Sequence, residues 1–252
     1  MTALCHKRQS GERPQFIHTT MPRSNQYRLV TFDVYTALFD VEGSLTPLVR
    51  HAVANEADGL DIVRTWRRKQ LEYLLISNSL QRGRVPFAVI TRQALDYTLS
   101  RRRLDVTEGV RQDLVHAWNE LRLWPEAASV LTTKQEGGYR IGLLSNGDEA
   151  MLRALAARLP VRRDDVFASE HAGYYKPHPS VYALPLRTLG LSTDQLLHVA
   201  GSATDVMGTK AAGLRCVWVN RQHDRVLDER YTADDECEDL RGVLSAVSAA
   251  AP

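Results

Sequence analysis

Asp33 closes the apolar run Arg28-Leu-Val-Thr-Phe-Asp and leads at once into Val34-Tyr35-Thr36-Ala37-Leu38-Phe39-Asp40. In open α/β sheets ligands gather at the carboxyl ends of strands, so an aspartate here stands where chemistry happens. Its carboxylate can act as a nucleophile and form an acyl-type covalent intermediate. The residue two places on decides a second question. Another aspartate there would build a magnesium-binding phosphatase site, and this chain has Tyr35. Taken alone, an aspartate at a strand end serves equally well as a cap for the following turn.

Three further places carry reactive side chains at the ends of strand-like runs. Leu144-Ser145-Asn146-Gly147 offers a hydroxyl and an amide before a helix, where the helix N-terminus favours a substrate carboxylate or phosphate. Ser145 as an ordinary N-cap is the plain alternative. In Tyr175-Lys176-Pro177 the proline biases Lys176 toward extended backbone, which aims its side chain out of any helix. A lysine near Asp33 would pair with its carboxylate and attract an anionic substrate. A solvated loop lysine is the commoner fate. Ala200-Gly201-Ser202-Ala203-Thr204-Asp205 is the last; Asp205 reads as a partner of Lys176, as an aid to water, or as a cap of the helix it opens.

The elements that must position these groups form an α/β pattern. Strands are expected at Arg28–Asp33, Arg140–Ser145, Val166–Ala168, Leu196–Ala200 and Cys216–Val219, alternating with helices, the sign of a Rossmann-like parallel sheet with crossovers. One helix starts at Pro125 and ends at Gly137-Gly138, another follows Asn146-Gly147-Asp148 and stops before Pro160, and a third runs from Asp205 to Gly213. Pro185 predicts a kink or early end in the helix after Pro179. Between the first two strands the patterns are helical instead. Leu60, Val63, Trp66, Leu71 and Leu74 share a face, followed by Val89–Leu99 and Val110–Leu123. Residues 43–124 therefore read as an inserted helical cap over a core made of 27–42 and 125–252.

Composition removes several classes. The chain of 252 residues is 44% hydrophobic with a formal charge of +2, which supports a proper core and gives no reason for nucleic acid as a partner. Arg101-Arg102-Arg103 reads as a solvated helix end. No apolar run approaches the ~20 residues a bilayer span requires, so no membrane association is expected. Cys5, Cys216 and Cys237 are odd in number and match neither a disulfide framework nor a zinc site. Cys216 reads as core, and a cytoplasmic location is the default. Residues 1–26 are polar without an apolar h-region, which excludes a secretory signal and predicts a disordered extension. Met21 reads as an alternative start.

Asp33, Ser145, Lys176 and Asp205, in this order and context, resemble the four motifs of the haloacid dehalogenase superfamily from Tyr27 onward. Phosphatases of that superfamily carry two further acids where this chain has Tyr35 and Gly201, so the resemblance implies no metal and no cofactor. The Asp33–Tyr35 pattern and Trp66-Arg67-Arg68-Lys69-Gln70-Leu71-Glu72-Tyr73 are similar to the 2-haloacid dehalogenases, in which the arginine at Arg67 holds the departing halide. Asp33 would attack C2 of a small carboxylic acid. Ser145, Asn146, Ser202, Lys176 and the backbone at Val34-Tyr35 would hold the substrate, and Asp205 with Lys176 would aid hydrolysis of the ester. Family members are often dimers, so a homodimer is also implied. The chain departs from the pattern at Ala37, where the family has a threonine, and at Ala200-Gly201-Ser202, where it has Ser-Ser-Asn; fewer donors around Asp33 are expected. Ring opening of a strained amino acid such as L-azetidine-2-carboxylate is the alternative on the same scaffold, ahead of a phosphatase or a non-catalytic binding protein.

Overall fold

The computed structural model describes residues 27–53 and 59–249; the N-terminal segment expected to be a disordered extension, with Cys5 and Met21, lies outside the described residues. Six strands form one sheet in the order β5-β4-β1-β6-β7-β8, every neighbour parallel. They are β1 Leu29–Phe32, β4 Ile141–Ser145, β5 Val166–Ala168, β6 Leu196–Ala200, β7 Arg215–Val219 and β8 Asp235–Cys237. From β1 the chain steps to β4 on one side, while β6 lies on the other. That reversal makes the carboxyl end of β1 the switch point at which such sheets bind ligands.

Period-two alternation decides which groups share a face. Val30, Phe32, Leu143, Leu197, Val199 and Val217 join the larger core cluster, packed with α5 (Ala127–Glu136) and α9 (Gly242–Ala249). The opposite parity sends Leu29, Leu144 and Leu196 toward α7 (Pro179–Leu189), beside which α8 (Ala203–Ala211) packs on β6 and β7. Thr31 and Asp33 continue the Leu29 parity, and His198 continues that of Leu196. The register pairs Thr31 with His198.

The segment between β1 and β4 begins with a five-residue π turn, Val34–Leu38, and is closed by a short antiparallel pair that the sequence did not announce. In it β2 (Phe39–Asp40) lies against β3 (Arg122–Leu123). Between them run α1 Val41–Val53, α2 Gly59–Leu80, α3 Phe87–Arg101 and α4 Glu108–His116. Helix is expected through Leu123, but α4 ends at His116 and a 3-10 turn follows, burying Trp118. On α2, Val63, Trp66 and Leu74 are buried as expected, whereas Leu71 is 40% exposed.

Two other expectations fail for physical reasons. Helix α7 continues four residues past Pro185, because the burial of Val181, Tyr182, Leu184 and Pro185 outweighs one missing backbone bond. Helix α8 opens at Ala203 with Ser202 as its cap, so Asp205 sits inside the first turn. Strand β8 escaped notice because Asp235-Glu236-Cys237 is a half-exposed edge strand without apolar alternation. Cys216 is fully buried in β7, as read.

One carboxylate fastens the helical segment to the sheet. Asp148, in the loop before α6 (Glu149–Ala156), accepts the first-turn amides of α3 from Phe87 (2.9 Å) and Ala88 (3.0 Å) and pairs with Arg84 at 2.7 Å. An anion there satisfies orphan donors and complements the helix dipole. Asp148→Ala is expected to lose about 3 kcal/mol of stability, the scale of two charge-assisted bonds plus a stranded arginine. Urea unfolding of the two proteins measures it; a difference below about 1 kcal/mol would contradict the assignment.

Candidate active site

Asp33 sits at the carboxyl end of β1, and both its oxygens are held. Oδ1 accepts from the Ser145 hydroxyl at 3.0 Å and lies 3.3 Å from Lys176 Nζ. Oδ2 accepts from the Thr36 amide and the Thr36 hydroxyl, each at 3.3 Å. The wide π turn permits that second contact. The hydroxyl missing at Ala37 is thus supplied from Thr36, so the expected shortage of donors around Asp33 is not what the structure shows. Ser145 ends β4 and accepts the Val34 amide at 3.4 Å; it does not cap α6, whose N-cap position is Asp148.

Lys176 bridges two carboxylates, lying 3.0 Å from Asp205 Oδ2 as well as beside Asp33, with its side chain 5% exposed. Its backbone is fixed by Asn146, whose Oδ1 accepts the Lys176 amide at 2.7 Å, and the Lys176-Pro177 bond is cis. Asp205 also accepts from the Tyr182 hydroxyl at 2.8 Å. Burial raises the pKa of Asp205, but the charge of Lys176, together with hydrogen bonds from His198 and Lys176, outweighs it and holds the group well below the usual carboxylate range.

His198 is a member of this cluster that sequence reasoning missed. It is fully buried, with Nε2 at 3.0 Å from Asp205 Oδ2 and 3.2 Å from Lys176 Nζ, and Nδ1 at 2.9 Å from Thr31 Oγ1. Desolvation, with the Lys176 charge second, lowers its pKa, so the ring is neutral at neutral pH. One tautomer donates to Asp205 and accepts from Thr31; the other accepts from Lys176 and donates to Thr31. A lone histidine inside Leu196-Leu-His-Val-Ala, otherwise an apolar buried strand, was the available signal.

Arg67 reaches the same cavity from α2. Its guanidinium lies over the rings of Tyr35 (5.6 Å to the centroid) and Trp118 (5.4 Å) and donates to Gln70 Oε1. Gln70 in turn donates to Thr91, so the arginine is braced against α3. Burial lowers the Arg67 pKa from its ordinary value, opposed by the charge of Asp33. The Tyr35 ring stacks on Phe87 at 5.2 Å, and its buried hydroxyl has no hydrogen-bond partner among the described residues. Tyr35 is therefore a neutral aromatic wall, its phenol pKa pushed far up by burial.

A cavity of about 580 Å³ holds these groups together. Asp33, Tyr35, Arg67, Ser145, Asn146, Lys176, Ser202 and Asp205 line it. Val34 does not: its side chain is buried in the core and its amide faces Ser145. Ser202 spends its hydroxyl on the Asp205 amide at 3.3 Å, which fixes the first turn of α8. At Gly201 a Cβ would meet the Ala37 amide nitrogen at 2.5 Å and Thr36 Cβ at 2.8 Å. The course of the π turn therefore excludes any side chain at that position, a metal-binding carboxylate included.

Known proteins share this arrangement. The model of the haloacid dehalogenase-like hydrolases matches residues 27–213. An (S)-2-haloacid dehalogenase of Xanthobacter autotrophicus is 34% identical over 202 residues, 79% of this chain and 78% of the relative. Haloacetate dehalogenase H-2 of Moraxella sp. (strain B) is 31% identical over 194 residues, 76% of this chain and 85% of the relative. The solved L-2-haloacid dehalogenase from Xanthobacter autotrophicus with chloropropionic acid covalently bound superposes with a TM-score of 0.79 at 28% identity, covering 89% of this chain and all of that one. With Asp33, Lys176 and Asp205 gathered at one end of the sheet, the chain belongs to the haloacid dehalogenase-like hydrolases, in their 2-haloacid dehalogenase branch.

Proposed function

We propose that this protein hydrolyses a carbon–halogen bond at C2 of a small carboxylic acid, with Asp33 as nucleophile and inversion at C2. The observation that carries the reading is the fixed Asp33 carboxylate facing a cavity that also holds Arg67, a half-buried cation with no carboxylate in ion-pair range among the described residues. A cation left without an anion over two aromatic rings offers a departing halide a place to go. Residues 43–124, carrying Arg67, act in this reading as a cap over the core.

The reaction takes two steps. An Asp33 oxygen attacks C2 from behind, a carbon–oxygen bond forms, and the carbon–halogen bond breaks toward Arg67. Ser145 and Lys176 orient the carboxylate for this attack and, with the loop at Asn146, bind the acid group of the substrate. Water then adds to Cγ of the Asp33 ester, and the 2-hydroxy acid departs. Asp205 and Lys176 orient that water. Haloacid and water become hydroxy acid, halide and one proton. Tyr35 and the closed position at Gly201 offer no hard ligands for magnesium, so no step requires it.

The (S) enantiomer of 2-chloropropionate is expected to release chloride and yield (R)-lactate, at a rate unchanged by exhaustive chelation. Ring opening of L-azetidine-2-carboxylate without dehalogenation would select the alternative. Magnesium-dependent release of phosphate from p-nitrophenyl phosphate alone would move the protein to the phosphatases.

His198 touches Lys176, Asp205 and Thr31 rather than the cavity, so it acts as a positioning residue. His198→Phe keeps the ring volume and removes one buried charged contact, which corresponds to a fall of about tenfold in kcat with KM nearly constant. The pH profile of kcat should change shape as well. Unaltered kcat and pH profile would show the imidazole to be mere core.

A further inference from the structure

The cavity is far larger than a three-carbon acid. At about 580 Å³ it falls within the range that holds drug-sized ligands. Its floor crosses the edges of four strands, from Ser145 on β4 past Asp33 on β1 and Ser202 after β6 to Val219 on β7. Three interstrand spacings make about 14 Å. The groups assigned to a haloacid occupy only the β4–β1 end, beneath Arg67. Trp218 and Val219, at the β7 end, have no role in the two-step reaction.

One face of α2 also borders the cavity. Arg67, Leu71, Leu74 and Leu75 follow the i, i+4, i+7, i+8 spacing of a helical stripe, and all line the cavity. Leu71 and Leu75 are 40% and 43% exposed, so two large apolar side chains that line the cavity are left uncovered by the described residues. Arg67 and Leu75 are eight residues apart, roughly 12 Å along the helix axis. Opposite them lie Phe39, Val41 and Trp218.

Two arginines of the cavity wall are already paired. Arg64 is paired with Glu42 at 2.9 Å, Arg221 is paired with Glu126, and Asp40 and Asp224 share the rim with Arg68. An apolar chain lying along α2 would cover Leu71 and Leu75. We infer that the natural substrate is a 2-haloacid with an extended apolar substituent at C2, its chain lying under α2 along Leu71 and Leu75. The inference rests on the dehalogenase reading and names the substrate class of that same site.

The experiment compares kcat/KM for the (S) enantiomers of 2-chloropropionate, 2-chlorohexanoate and 2-chlorooctanoate, followed by chloride release. Partial burial of each added methylene corresponds to a rise of about two- to fourfold. In the double variant Leu71→Gln/Leu75→Gln the octanoate-to-propionate ratio is expected to collapse toward one. Both positions are surface-exposed in α2, so the variant retains its core. Rejection of the longer acids by an enzyme that processes chloropropionate would overturn this inference alone, as would an unchanged ratio in the variant. Absence of chloride release from all three acids would overturn the dehalogenase reading and the inference with it.

Discussion

A single ammonium group ties the active site together. Lys176 lies between Asp33 and Asp205, at 3.3 and 3.0 Å, in a place almost closed to water. Two buried carboxylates repel each other and are costly to desolvate unless a cation and hydrogen bonds compensate them. Everything around Lys176 supplies that compensation. Asn146 fixes its backbone, Tyr182 and His198 hold Asp205, and Ser145 with Thr36 holds Asp33. The groups come from β1, β4, β6 and the segments that follow β1, β4, β5 and β6, so the parallel sheet is what allows them to meet at one end.

The same constraint explains the treatment of metal ligands. A hydrolase that uses magnesium must gather further carboxylates beside the nucleophile. Here a tyrosine, Tyr35, stacked on Phe87, lines the cavity, and the π turn presses its backbone against Gly201. The cation beside Asp33 is Lys176, and a second cation, Arg67, is held over two aromatic rings. The positive charge is thus built into the chain.

Strand ends were legible because the chemistry sits on the backbone pattern itself. An apolar run closing on Asp33, or on Ser145, identifies both the element and the reactive group. Contacts that depend on register were not legible. Nothing local says that Thr31 will oppose His198, or that Asp148 will cap a helix sixty residues upstream. The shift of a hydroxyl from position 37 to Thr36 was invisible for a related reason: only the π turn brings Thr36 Oγ1 onto Asp33. Leu71 shares a helical face with Val63, Trp66 and Leu74 by its periodicity, yet it lines a cavity. Helical spacing identifies a shared face and says nothing about what the face covers.

The central claim is that an Asp33 oxygen becomes bonded to the substrate carbon and is then exchanged by hydrolysis at Cγ. A single turnover of excess enzyme on (S)-2-chloropropionate in oxygen-18 water tests this most directly, read by mass analysis of the Asp33 peptide and of the lactate. The account predicts heavy oxygen in the peptide and unlabelled lactate. Label in the lactate with an unlabelled peptide would mean that water attacks C2 itself, and would contradict it.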